Sequence, residues 1–276
     1  MYKLKLSRSV GLDDLFLIRL REVVEEGFDC IDYDITPYWP QQDLQTLVYD
    51  AFLQKGYDMI KSNGMPINAV HLSFGTHMDV SEPDEEKRKK VIETVKDVFR
   101  RTEKFDNAFY VLHGSFEPIL DAERDFHKTA LIESLKELEN CTDKTICLED
   151  LPRSCMCNTA EELIKVVDSC NKIAVCYDVN HLLHERTEDA ALKIGKRIKT
   201  LHVSDYDYAN ERHWMPGVGK IDWNKLIGVF EKIGYQGAFN YEVNASGKEI
   251  KDNFNTLFEN YRSQHEETYI GGEDEL

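Results

Sequence analysis

The sequence predicts a (β/α)8 barrel that occupies residues 1–276 as a single domain. Three observations carry this. Apolar, β-branched runs alternate with helical segments eight times. Successive strand ends lie roughly 25 to 40 residues apart, the span of one βαβ unit with its crossover. No Pro-, Gly- or Ser-rich linker and no low-complexity stretch divides the chain. Chains of this length routinely form one undivided barrel.

Taken in order, residues 2–6 read as the first strand and 13–27 as an amphipathic helix capped by Gly27. Residues 28–35 form the next strand, ending in Thr36-Pro37, and a helix covers 42–63. A strand at 67–74 precedes a charged helix at 84–103, and a strand at 108–112 precedes a helix at 123–139. Residues 145–148 are the fifth strand, and Thr159-Ala160-Glu161-Glu162 has the form of a capping box opening the fifth helix. Strand six is 173–177 with a helix at 189–197, and strand seven is 198–203. Asp222 suits the N-cap and Gly234 the C-cap of a helix at 223–233. A strand at 238–241 and a helix at 250–264 complete the alternation. An open doubly wound sheet is the rival architecture. Residues 2–6 lead into Ser7-Arg8-Ser9-Val10-Gly11 rather than GxGxxG, so the dinucleotide fingerprint that would favour it is absent.

The formal net charge is −17, from 51 acidic and 34 basic residues. Such a field repels phosphate backbones and anionic lipids, so neither nucleic acid nor a membrane is an expected partner. No apolar run is long enough to span a bilayer, and residues 1–10 lack the apolar core of a signal peptide. Residues 81–90 and 271–276 are charge-rich and read as solvated surface. The final Glu273-Asp274-Glu275-Leu276 falls one residue short of a retention signal, and a cytoplasmic location is expected. Seven scattered cysteines without a CxxC pair read as reduced thiols. Cys155-Met156-Cys157 has the wrong spacing for a zinc knuckle.

Catalytic groups in a barrel come from the C-terminal ends of its strands. Strand three ends in His71, strand four in His113, strand five in Glu149-Asp150 and strand six in Asp178 followed by His181. Strand seven ends in His202 and strand eight in Glu242. One histidine at a strand end is ordinarily a satisfied polar residue. Six strands delivering His, Asp or Glu at one height is a different matter. Carboxylates converging in a low-dielectric mouth repel unless a cation sits among them, so a hard or borderline divalent metal is expected.

Four segments, Leu148-Glu149-Asp150-Leu151, Asp178-Val179-Asn180-His181, His202-Val203-Ser204-Asp205 and the stretch from His213 to Trp223, carry a resemblance over nearly the whole chain. The sequence resembles the xylose-isomerase-like barrel superfamily, and within it the sugar isomerase/epimerase branch of ketose 3-epimerases and inosose dehydratases. That resemblance implies one Mn, Co, Mg, Fe or Zn ion held by Glu149, Asp178, His202 and Glu242. It also implies His181 and His213 as substrate contacts, with homo-oligomers common in the branch. The 3-epimerases have an arginine soon after the metal histidine; Arg212, in a longer loop, is the nearest one here.

The implied chemistry is removal of a proton α to a carbonyl through an enediolate, with the ion as Lewis acid. Glu149 and Glu242, on strands five and eight, are the expected acid/base pair. His71, His113, His181, Glu211 and His213 are expected to contact a small sugar or polyol, with Phe74, Phe116, Trp214 and Met215 as apolar walls. Loss of a β-hydroxyl would instead give a dehydratase of a cyclic polyol ketone. A more distant resemblance is to the three-zinc apurinic-site endonucleases. His71, His113, Glu149, Asp178, His181, His202, Glu211, His213 and Glu242 resemble their nine ligands, with Glu211 where an Asp is usual. The acidic charge and the lack of a basic, aromatic-interleaved loop argue against that hydrolase. A non-catalytic sugar-binding barrel is a third reading, opposed by the presence of both glutamates. Pro216-Gly217-Val218-Gly219 reads as a turn rather than a phosphate cradle.

Overall fold

Ser7 and Ser9 alternate with Leu6, Arg8 and Val10, and this two-residue period makes the first strand longer than its apolar start suggests. The computed structural model describes residues 2–36 and 44–270. In it β1 runs over Lys5–Gly11, not 2–6, because the serines face a polar barrel interior where Ser7 Oγ donates to Asn240 Oδ1 at 2.8 Å. The other strands are β2 (Ile31–Asp34), β3 (Ile67–His71), β4 (Phe109–His113), β5 (Thr145–Glu149), β6 (Ile173–Asp178), β7 (Ile198–Val203) and β8 (Ala238–Tyr241). All eight pair in parallel in chain order, and β1 pairs with β8 to close the barrel. Closure leaves no sheet edge exposed.

The helices are α1 (Phe16–Glu26), α2 (Leu44–Ser62), α3 (Glu85–Thr102), α4 (Arg124–Leu138), α5 (Ala160–Val167), α6 (Thr187–Ile194), α7 (Trp223–Ile233) and α8 (Gly247–Ile270). Pro37, the 42–43 start of the second helix and the acidic tail 271–276 lie outside the described residues. The main core fills the layer between strands and helices, as β-branched and aromatic side chains such as Val70, Tyr110 and Phe239 meet Val95, Leu131 and Phe254.

The caps follow local chemistry. Asp222 accepts from Lys225 N at 3.0 Å to open α7, and Gly234 closes it in the left-handed region at φ 76°. Thr159 accepts from Glu162 N at 3.3 Å, but the Glu162 carboxylate does not return to the cap. It takes Cys157 N and Arg124 Nη2, both at 2.6 Å, so the box is half formed. Helix α6 starts and stops earlier than 189–197, because Gly195 (φ 63°) diverts the chain into a short 3-10 turn.

Candidate metal centre

Parallel pairing puts the C-terminal ends of the strands on one rim: His113 is in register with Glu149, and Asp178 with His202. Alternation then turns these side chains inward. Glu149 is the hub. Its Oε2 lies 3.2 Å from His71 Nε2 and 3.1 Å from His113 Nε2. Its Oε1 lies 2.9 Å from His202 Nδ1 and 3.7 Å from His181 Nδ1. Glu242, just past β8, brings Oε1 to 3.4 Å from the same His202 Nδ1 and accepts from Ser9 Oγ at 2.9 Å.

Asp178 completes the set. Its Oδ1 accepts from Asn180 N at 2.7 Å, while its fully buried Oδ2 has no hydrogen-bond partner. His181 Nε2 lies 3.4 Å from it without completing a hydrogen bond, and a buried carboxylate oxygen left so among other carboxylates is costly without a cation. The donor atoms of Glu149, Asp178 and His181 all lie within 4.8 Å of one another, as do those of His71, His202 and Glu242. A mixed imidazole–carboxylate set suits a borderline or hard divalent ion, so Glu149, Asp178, His202 and Glu242 fit the group the sequence implies.

Two further donor groups flank these residues. His71, His113 and Glu149 form one, and His181, Glu211 and His213 the other. His213 is held in the left-handed region at φ 51°, with Nδ1 on the Glu242 carbonyl and Nε2 on Glu211 Oε1, each at 3.1 Å. For a non-glycine residue that conformation is sparsely populated, and at the rim it marks strain retained in a site.

The electrostatics follow from this crowding. Burial disfavours the His71 imidazolium, but its hydrogen bond to Glu149 and that group's charge outweigh burial and raise its pKa to about 9. His213, hydrogen-bonded to Glu211, is also raised to about 9. In return the His213 hydrogen bond holds Glu211 down to about 2. Burial pushes Glu149 up, yet His202 and His113 hold it well below the usual carboxylate range. Burial raises Asp178 to about 6 against the pull of His181.

Of the expected walls, Phe74 reaches the donor groups, its ring stacking on His113 at 4.5 Å between centroids; Phe116 and Trp214 are exposed, and Met215 packs partly buried against the core. Arg212, the arginine nearest after His202, is engaged locally. Its guanidinium pairs with Asp207 at 2.9 Å and lies over the Trp214 ring. Arg153, not singled out in the sequence, reaches the rim instead and bridges Glu117 and Glu211, each at 2.7 Å. Cys155 and Cys157 join no candidate ligand group among the described residues, and every described cysteine is a free thiol. Asp150, Asp32 and Ser9 stand behind the candidate ligands: Asp150 Oδ1 accepts from Asp178 N at 2.8 Å, Asp32 Oδ2 lies 3.5 Å from His202 Nε2, and Ser9 Oγ donates to Glu242 Oε1. The paired acids of Asp32-Tyr33-Asp34 inside an apolar strand were the available signal for Asp32.

The loop from His213 to Trp223 is built around one carboxylate. Asp205 Oδ1 accepts from Tyr206 N at 2.8 Å and Ile221 N at 3.3 Å, and its Oδ2 from Gly217 N at 2.8 Å and Trp223 Nε1 at 2.9 Å. A Cβ on Gly219 would lie 2.3 Å from Asp205 Oδ1, so this glycine is required for close approach. The glycine pair is thus a turn about Asp205, as the sequence suggested.

Against known proteins, the family described as xylose isomerase-like TIM barrel matches residues 20–261. The chain belongs to that family. Solved structures share the barrel at low identity. A D-tagatose 3-epimerase-like protein superposes with a TM-score of 0.79 at 18% identity, covering 95% of this chain and 99% of that one. D-psicose 3-epimerase from Clostridium cellulolyticum gives 0.72 at 19%, covering 94% and 99%. The IOLI protein, solved with a bound zinc atom, gives 0.72 at 16%, covering 95% and 99%. An uncharacterized protein of Methanocaldococcus jannaschii is 25% identical over 186 residues, 66% of this chain and 70% of its own length. Among the described residues no helix is long and apolar enough to cross a membrane.

Proposed function

We propose that this protein is a divalent-metal-dependent sugar isomerase or epimerase that removes and returns a proton next to a carbonyl. The observation that carries this reading is the convergence of Glu149 and Glu242 on His202 Nδ1, at 2.9 and 3.4 Å, beside the unpartnered Oδ2 of Asp178. An ion held there would supply Lewis-acid polarisation of a substrate carbonyl. The two glutamates come from β5 and from the end of β8, so they flank a substrate plane from different sides of the mouth. Burial pushes both up, yet His202 and the neighbouring histidines hold them below the usual carboxylate range, which keeps both ionised at neutral pH, the form a base must start from. The Glu242 side chain is 20% exposed and meets an entering substrate first, whereas Glu149 at 1% sits deeper among the histidines. His113 and His181 orient substrate hydroxyls, and Phe74 and Trp214 cover the apolar face of the sugar ring. Epimers and aldose–ketose isomers differ only in the carbon that receives the proton, and dehydration of a cyclic polyol ketone begins with the same abstraction. The comparisons support a small sugar as substrate, since the similar structures include ketose 3-epimerases.

The test is solvent exchange: ketohexoses and inososes are incubated with Mn²⁺-loaded protein in D2O and followed by proton NMR. Deuterium should enter at the carbon beside the carbonyl, and Glu242→Gln should slow entry by on the order of 100-fold or more. Exchange that Glu242→Gln leaves intact, or no exchange with any member of the set, overturns the reading.

A second reading rests on the two flanking donor groups, which give the mouth capacity for more than one ion. Two or three zinc ions per chain by elemental analysis, with cleavage of an abasic duplex, would replace the isomerase by a phosphoester hydrolase. About one ion per chain supports the isomerase.

A further inference from the structure

We propose that Asp32, on β2, is a positioning residue of the metal centre: it holds His202 by Nε2 and so turns Nδ1 toward the ion. This rests on the metal-dependent reading above. His202 Nδ1 faces Glu149 and Glu242, and its other ring nitrogen points down into the barrel, 3.5 Å from Asp32 Oδ2. Both residues are 0% exposed, and neither His202 Nε2 nor Asp32 Oδ2 has any hydrogen-bond partner. Two complementary polar atoms shut away from water and facing each other lower their energy by closing the last few tenths of an ångström.

The carboxylate is itself clamped. Asn68 Nδ2 donates to Asp32 Oδ1 at 2.6 Å and to Thr200 Oγ1 at 3.0 Å, so Asp32 cannot swing away from the ring. A neutral imidazole has one N–H and one lone pair. With the proton on Nε2 and directed to Asp32, the lone pair is left on Nδ1, the nitrogen that faces the other ligands. Carboxylates placed behind a ligand histidine fix its tautomer and raise its basicity. One part of the barrel interior is apolar, formed by Ala69, Val111, Cys147, Ala174 and Cys176. Asp32, Asn68 and Thr200 belong to its polar part, together with Ser7 and Asn240, and of these Asp32 is the one that reaches His202 Nε2.

The substitution Asp32→Asn tests this with zinc alone as the probe. Asn68 keeps its acceptor on the new amide, so the amide NH2 faces His202 Nε2. The ring must then accept at Nε2 and carry its proton on Nδ1, the wrong tautomer for a ligand. The zinc Kd, measured by calorimetry against a competing chelator, should rise about 10- to 100-fold. Val111→Ala, which opens a gap in the apolar cluster of the interior, should lower Tm yet leave the zinc Kd unchanged. A zinc Kd for Asp32→Asn within about twofold of the original, or an equal loss in Val111→Ala, overturns the role of Asp32 while leaving the metal site standing. Should Asp32→Asn fail to fold, nitrogen NMR of the zinc-loaded native protein decides: His202 must show a protonated Nε2 and a metal-bound Nδ1, and the reverse tautomer overturns the proposal. Native protein that takes up no zinc overturns both this role and the metal-dependent reading.

Discussion

Glu149 lies 2.9 to 3.7 Å from ring nitrogens of four histidines, so protons and metal ions compete for one set of atoms. The pH dependence of stability follows. His71 and His213 ionise near 9 in the folded chain against an ordinary 6.5. A raised histidine stabilises fully below 6.5, and that contribution is lost as pH rises toward 9. Asp178, lifted from 3.8 to about 6, acts in the same direction lower on the scale. The Tm of chelator-treated protein should therefore fall as pH is raised from about 6.5 to 9, followed by differential scanning fluorimetry; a rising Tm would contradict these ion pairs. Asp178→Asn should remove most of the metal affinity, because it replaces a buried carboxylate oxygen that has no hydrogen-bond partner and faces the other candidate ligands, and calorimetry with Mn²⁺ reads this directly. The six rim residues from His71 to Glu242 were legible in the sequence because each ends an apolar run. Asp32 had only the mark of two acids within an apolar strand and Ser9 had none, since the role of a buried polar residue inside a strand shows only once its partner strand is known.

At the scale of elements, the loop carrying His213 and Trp214 depends on Asp205. Asp205→Ala would leave four donors, three of them backbone, without their acceptor. A loss of about 3 kcal/mol or more is expected, with a Tm drop of about 6 °C or more and altered Trp214 fluorescence. Gly219→Ala should do similar damage, since its Cβ would meet both Asp205 and the Tyr206 carbonyl at 2.3 Å. The exposed cap residue is a contrast: Asp222→Ala costs about 1 kcal/mol and leaves the site alone. Thermal melts of the three variants would rank them. A loss for Asp205→Ala no larger than for Asp222→Ala would remove Asp205 as the centre of the loop. Most element positions were read correctly from periodicity. The first strand was not, because Ser7 and Ser9 look like a polar loop until they are seen to face Asn240 and Glu242 inside the barrel.

For the whole molecule, parallel closure of eight strands collects candidate ligands from β3 to β8 within one mouth, although His71 and Glu242 are far apart in sequence. The net charge of −17 raises the local concentration of cations and opposes a nucleic-acid backbone. Duplex DNA should accordingly not be retained in a mobility-shift assay at roughly 0.15 M salt. Retention with a steep salt dependence would favour the hydrolase reading and the two flanking donor groups.

The sequence by itself determined the alternation of elements, the barrel class and the identity of the rim residues, because hydrophobic period and strand termini are local properties. It also carried the family, through short motifs around Glu149, Asp178, His202 and the loop to Trp223. The tertiary structure alone decided which atoms meet: that Glu149 is the hub, that Arg212 is engaged by Asp207, that Asp205 organises the loop and that Asp32 stands behind His202. Such pairings depend on strand register and barrel closure, which bring residues more than a hundred positions apart within hydrogen-bond distance, and no local pattern encodes that distance.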